Sequence, residues 1–284
     1  MERKKKQNRG LLSFAMGMGT VLLGVFLVVL PASGLFRQTQ EKGRNTTGRI
    51  AVRTSPEGAV DFLIGRIGDF SSSARVSSLV LDAPYLDQRK SYPTGCESVT
   101  AVMALQYFGV EIDTEEFIDK YLPLGNAPYR DETGRLVGCD PRKSFPGDPR
   151  TEQGWGCYAP VIEQSLNDLL SDLPADPGLT VESPENKSLK ELCAEYVAKG
   201  IPVILWATID MAPPEQYLSF RIEGTEEEFQ WIYPLHCLLL VGWDEDGYLF
   251  NDPAAGKKQF YSKEAAERAY EGLGRQAIVL VPED

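Results

Sequence analysis

Histidine is the scarcest functional residue here: the 284-residue chain contains one, His236. A centre built from several imidazoles is excluded, and any general base of histidine type must be this residue. Cysteine is sparse as well. Cys96, Cys139, Cys157, Cys193 and Cys237 form no C-x-x-C pair and no cluster with histidine, so no structural zinc site is expected, and no other metal or cofactor is called for. Their odd number leaves at least one thiol free or paired between chains, with Cys139 and Cys157 as one pair to consider. No glycine-rich phosphate loop occurs, so nothing resembles an ATPase. Positive charge is in short supply too. The formal net charge is -12, and because "MERKKKQNRG" holds five basic residues against one acidic, the remainder carries -16. Phosphate backbones repel such a surface, and nucleic acid is not expected as a partner.

What the chain does have, at its start, is a long uncharged run. Leu11 to Phe36 is apolar or small for 26 residues. A hydrocarbon core needs about 20 residues of helix, and positive charge just ahead of the run keeps the N-terminus in the cytoplasm. The reading is a cytoplasmic tail (1–10), a membrane-spanning signal-anchor (11–36), a linker outside the cytoplasm (37–78) and one domain (79–284). The small residues Ala32, Ser33 and Gly34 keep a cleaved signal peptide, and hence a secreted domain, as the rival. The linker carries "RQTQEKGRNTTGR" and "DFSSSARVSS", too polar to fold alone, around a short amphipathic stretch "AVDFLIGRI".

From Leu79 the pattern is that of a packed domain. "SLVL" reads as a short strand. "ESVTAVMALQYFG" is apolar nearly all round, the mark of a buried helix, and Gly109 closes it. "DTEEFIDKYL" is a helix started by Asp113 or Thr114. Pro123 to Gly156 reads as a long functional or mobile loop. "APVIEQSLNDLLSDL" and "SLKELCAEYVAKG" are helices, the second stopped by Gly200. "IPVILWATI" and "HCLLLVGW" are continuous apolar strands, and "YLFNDP" returns after the turn "DEDG" as a hairpin partner. Helices first and an antiparallel sheet after them imply an α+β domain.

Chemistry points to Cys96. The turn "YPTG" delivers it to a helix N-terminus, where unpaired N–H groups favour a thiolate. Glu97 follows at once; its charge suits the helix dipole but opposes that thiolate. A buried structural thiol is the alternative reading of Cys96, and a satisfied core histidine that of His236. In the hairpin, a turn centred between Glu245 and Asp246 sets Asp252 level with Leu239, three residues from His236 and on the opposite face; only a bulge would bring the two together. Trp155, Tyr158 and Trp206 are candidates for lining a substrate cleft, with the core as the alternative.

Four segments in order, "LDAPYLDQ…YPTGCESVTAVMALQYFG", "GDPRTEQGWGCYAP", "GIPVILWATIDM" and "HCLLLVGWDEDGYLFNDPAAGK", resemble the papain-fold cysteine peptidases related to the bacteriocin-processing, double-glycine leader peptidases. The resemblance implies a papain-like fold, with N-terminal helices packed on a C-terminal antiparallel sheet. It implies Cys96 as nucleophile, His236 as general base, Asp252 as the group that orients the imidazole, and Gln88 as side-chain donor of the oxyanion hole. The implied activity is hydrolysis of a peptide or amide bond through an acyl-enzyme, on a peptide or protein substrate. Two alternatives keep the fold: a cell-wall peptide amidase or transpeptidase, and a tethered binding module without turnover. The membrane segment places the domain on the opposite side from the leader peptidases, so their substrate does not carry over.

Overall fold

The computed structural model describes residues 78–283. The basic tail, the signal-anchor, the amphipathic stretch of the linker and Asp284 lie outside the described residues. Among the described residues no helix is long and apolar enough to cross a membrane.

The chain enters on β1 (Leu79–Val80) and, after a 3-10 turn at Gln88–Lys90, forms α1 (Cys96–Tyr107). Every α1 residue except Gln106 is buried, as a helix apolar on all sides requires. Gly109 ends it at φ +81, a conformation that costs a side-chain-bearing residue energy. α2 (Thr114–Tyr121) starts where the Asp113 carboxylate accepts the Glu116 N–H at 2.8 Å, and buries Phe117 and Ile118.

The stretch read as a loop carries short strands: β2 (Leu124–Gly125), β3 (Tyr129–Arg130), β4 (Leu136–Gly138) and β5 (Phe145–Pro146). α3 (Ala159–Asp172), β6 (Leu179–Glu182) and α4 (Leu189–Glu195) follow. Ser188 and Glu191 close a reciprocal capping box on α4, and Gly200 at φ 86 ends the 3-10 turn after it. The last third holds β7 (Val203–Thr208), the hairpin β8 (Glu215–Ile222) and β9 (Glu228–Tyr233), then β10 (Leu235–Trp243), β11 (Gly247–Asp252), β12 (Gly256–Ser262), α5 (Lys263–Gly272) and β13 (Ala277–Pro282).

The main sheet has the order β12-β11-β10-β7-β13-β6, with β1 also paired to β10, and every pairing in it is antiparallel. β7 is buried at all six positions and β10 at eight of nine, which is why both read as unbroken apolar runs. α1 lies against β10, where the Thr100 hydroxyl donates to the Cys237 carbonyl at 3.1 Å. The α+β expectation, helices packed on an antiparallel sheet, therefore holds for this layer. The second sheet, β3-β4-β8-β9, is additional: the segment expected to be a loop supplies β3 and β4, and the β8–β9 hairpin completes it. A parallel pair, β2 with β5, braces the same region.

Candidate active site

The position of Cys96 follows from local turns tied to the sheet. Leu81 N–H donates to the Val241 carbonyl at 2.7 Å and prolongs the β1–β10 pairing. The buried Asn251 amide then donates to the carbonyls of Ala83 and Pro84 at 3.1 and 2.8 Å, and Gln88 N–H reaches the Pro253 carbonyl at 3.1 Å. The segment leading to Cys96 is thus stitched to the end of β11. Tyr92 to Gly95 closes as a turn, Gly95 N–H on the Tyr92 carbonyl at 2.9 Å, and Cys96 becomes the first residue of α1. Gly95 cannot be larger, since a Cβ there would lie 2.9 Å from Tyr92 Cβ and 3.1 Å from Pro149 Cβ.

The helix terminus does not make Cys96 a resting thiolate. Burial, and next the Glu97 carboxylate, push the thiol well above its ordinary range. Its S–H donates to Glu97 Oε2 at 3.2 Å. Burial and the opposing effect expected of Glu97 thus work against the thiolate that the helix terminus favours. Glu97 is itself fully buried, with Oε1 accepting the Cys157 N–H at 2.7 Å.

His236 sits near the start of β10, 2% exposed, with Ala207 of β7 as its lateral neighbour. Its Nε2 lies 2.8 Å from Asp252 Oδ1. That oxygen also accepts the N–H groups of Ala254 and Ala255 at 2.9 and 3.1 Å, and Oδ2 accepts the Tyr261 hydroxyl at 2.8 Å. Burial alone raises the Asp252 carboxyl, but the hydrogen bond and charge of His236, then Tyr261 and the Ala254 N–H, outweigh it and hold the group at about 2. An ionised carboxylate only accepts, so the ring nitrogen facing Asp252, Nε2, carries the proton of that hydrogen bond. The same Asp252 oxygen thus contacts the histidine and holds the turn that follows β11.

Cys96, His236 and Gln88 line one cavity of about 420 Å³. Gln88 is buried, and its Nε2 donates to the Pro93 carbonyl at 3.1 Å, leaving the second amide hydrogen uncommitted. Trp155, Trp231, Leu235 and Ile209 supply an apolar wall to the cavity. Of the three aromatics expected there, only Trp155 is among its lining. Trp206 is corrected to the core: it is fully buried and its indole N–H donates to the Cys157 carbonyl at 2.7 Å. Tyr158 is also corrected; it is buried behind the wall, edge-on to Trp231 and Phe229. All five cysteines are free thiols, so Cys139 and Cys157 do not pair. Among the described residues no group of three or more His, Cys, Asp or Glu side chains is placed to hold a metal ion.

Two contributors escaped the sequence reading. Trp231 lies on β9, where "EFQWIY" alternates apolar and polar residues and could have been read as a strand. Tyr261 on β12 had no signal beyond its place one hairpin after Asp252.

A fold of helices on an antiparallel sheet, with Cys96 at a helix start and His236, paired to Asp252 on the adjacent strand, lining one cavity with it, invites comparison with known proteins. The model of the Peptidase_C39 like family matches residues 80–278. The chain belongs to that family. A relative within reach of sequence comparison is the uncharacterised protein YvpB of Bacillus subtilis, 26% identical over 200 residues that make up 70% of this chain and 72% of YvpB. Among solved structures, a protein described as a C39-like peptidase from Bacillus anthracis superposes with a TM-score of 0.60 at 23% identity, over 72% of this chain and 96% of that one. This likeness shows the fold: a cysteine peptidase fold of C39-like type. The peptidase domain of Streptococcus ComA, a bifunctional ABC transporter, gives a TM-score of 0.39 at 14% identity, over 70% and 98% of the two chains.

Proposed function

We propose that this C39-like protein is a cysteine peptidase that cleaves a peptide or protein substrate through Cys96, His236 and Asp252. One observation carries the reading: the imidazole, its Nε2 fixed on Asp252 at 2.8 Å, lines the same cavity as the Cys96 thiol. In the proposed reaction the thiol proton passes to His236 Nδ1 as sulfur attacks the scissile carbonyl. The Asp252 carboxylate stabilises the imidazolium that forms. The Cys96 N–H, left without a partner inside a helix at its first residue, and the uncommitted Gln88 amide hydrogen serve the developing oxyanion. The leaving amine takes the proton back from Nδ1, and water, deprotonated by the same nitrogen, releases the acyl group.

The apolar wall of Trp155, Trp231, Leu235 and Ile209 favours a substrate with an apolar side chain near the cleaved bond. The reading places the domain outside the cytoplasm, held by residues 11–36, on the evidence of basic residues ahead of an uncharged run of 26. A binding module without turnover is the second reading, favoured by one fact: the Cys96 thiol is buried and tied to a carboxylate.

Full-length protein in detergent, incubated with a quenched-fluorescence peptide library, separates the two. Hydrolysis that disappears in Cys96→Ala and in His236→Ala is the expected result. Cleavage retained by Cys96→Ala, or none by the wild type, overturns the peptidase reading.

A further inference from the structure

The proposed reaction leaves one buried ionisable group at the nucleophile without a task. Glu97 is completely enclosed, yet its Oε2 lies 3.2 Å from the Cys96 sulfur. Burying a carboxyl group is costly, so a chain that needed only an acceptor for the Cys157 N–H would be served as well by a neutral amide. The surroundings are shaped for it. Gly156 adopts φ +109, and a Cβ at that position would lie 2.7 Å from Glu97 Oε1 and 2.9 Å from Leu235 Cδ2. The backbone has given up a side chain and taken a left-handed conformation where the carboxyl enters.

The groups facing this carboxyl come from three elements. Cys96 belongs to its own helix. Cys157 and Tyr158 precede α3, and His236 and Cys237 lie on β10. Of these only His236 can carry positive charge, and it is the proposed proton acceptor. In the proposed reaction sulfur therefore has two competing proton acceptors, Glu97 Oε2 at 3.2 Å and His236, which lines the same cavity.

We infer that Glu97 is a catalytic residue of this site, deciding through its contact with Sγ whether Cys96 stands as thiol or thiolate. While Glu97 is ionised, its charge and its hold on the S–H keep sulfur protonated. When Glu97 takes a proton from solution, the carboxyl turns donor. It then hydrogen-bonds to the sulfur once the thiol proton has moved to Nδ1. No atom is exchanged beyond that single solvent proton. Burial raises the Glu97 carboxyl, an effect its own N–H, the Cys157 N–H, the Cys96 thiol and His236 offset in part, so the exchange falls above the usual carboxylate range. The inference rests on the peptidase reading for its meaning, since a thiol that attacks nothing has no need of a regulator.

The variant to test is Glu97→Gln, which keeps an acceptor for Cys157 N–H and presents a permanent donor to sulfur. Full-length protein is treated with iodoacetamide from pH 5 to 10, and the peptide bearing Cys96 is followed by mass spectrometry so that the other four thiols do not intrude. Loss of one like charge at this distance should speed Cys96 alkylation at pH 7 about tenfold or more. In the wild type, the coupled pair should give a two-step profile. Superposable wild-type and variant profiles overturn the inference. If the variant does not fold, His236→Ala decides: a two-step Cys96 profile that survives loss of the imidazole upholds the inference, and a curve fitted by one ionisation overturns it. Failure of the peptidase reading looks different: Cys96→Ala retains cleavage, whatever the alkylation profiles show.

Discussion

Replacing Asp252 by asparagine tests the electrostatics of the site through stability rather than turnover. The wild-type carboxyl is held at about 2 against an ordinary 3.8, chiefly because His236 binds it against the cost of burial. At about 1.4 kcal/mol for each unit of pH between those values, the ionised carboxylate contributes about 2.4 kcal/mol at neutral pH. The sign follows from the direction. A depressed folded-state value means that stability is fully present above pH 3.8 and drains away as pH falls toward 2. The amide introduced by Asp252→Asn would retain an acceptor for Ala254, Ala255 and His236, and its N–H can donate to the Tyr261 oxygen, so the variant should fold. Urea unfolding of both proteins at pH 5, 3 and 2 measures the effect. The advantage of wild type over variant should shrink by about 2 kcal/mol between pH 5 and pH 2, with about half of that gone by pH 3. A difference that stays constant across this range would refute the argument, because it would mean that His236 and the carboxylate do not interact in the folded protein.

Tyr261→Phe removes the hydroxyl from Asp252 Oδ2 and leaves a buried carboxylate oxygen without that donor; the expected loss in urea unfolding at pH 7 is about 1.5–3 kcal/mol, and a loss below about 0.5 would show the bond to be replaceable. Gly156→Ala forces a Cβ against Glu97 and Leu235 at a φ that disfavours it, so a cost of about 2 kcal/mol or more is expected, read as a lowered thermal midpoint; an unchanged midpoint would mean that the cradle around Glu97 is slack.

How much of this was legible in the sequence depended on length and burial. α1, β7 and β10 were readable because each is buried on all sides and long enough for an apolar run to stand out. β2 to β5 were not, since strands of two or three residues have no period to detect. Between these extremes lay β8, where Leu218, Phe220 and Ile222 alternate with Ser219 and Arg221. That alternation marks a strand of the sheet that brings Trp231 to the cavity. The placement of Cys96 at a helix start was legible from one turn and one helix, but its protonation was not. A thiol's state depends on what burial and a neighbouring carboxylate do together, and neither the depth of Cys96 nor the direction of the Glu97 side chain is written in local sequence.

The relation of His236 to Asp252 turns on a single residue. Near the turn, β10 and β11 keep the register the sequence implies, with Trp243 opposite Tyr248 and Gly242 opposite Leu249. Continued unchanged, it would set Asp252 level with Leu239, facing away from the imidazole. Between Gly242 and Leu240 the pairing slips, because Val241 is an extra residue on β10, and Leu240 then meets Phe250 and Leu239 meets Asn251. Asp252 comes level with Leu238, on the same face as His236 and two residues along, a diagonal that side chains of this size can span. The slip sits beside Gly242, where a Cβ would come within 2.3 Å of the Leu79 carbonyl as β1 crosses. The glycine that admits β1 and the bulge that turns Asp252 over are therefore adjacent features of one strand. Because a shift of one residue reverses which face every later side chain takes, the hydrogen bond on which the proposed chemistry rests exists only with that extra residue in place.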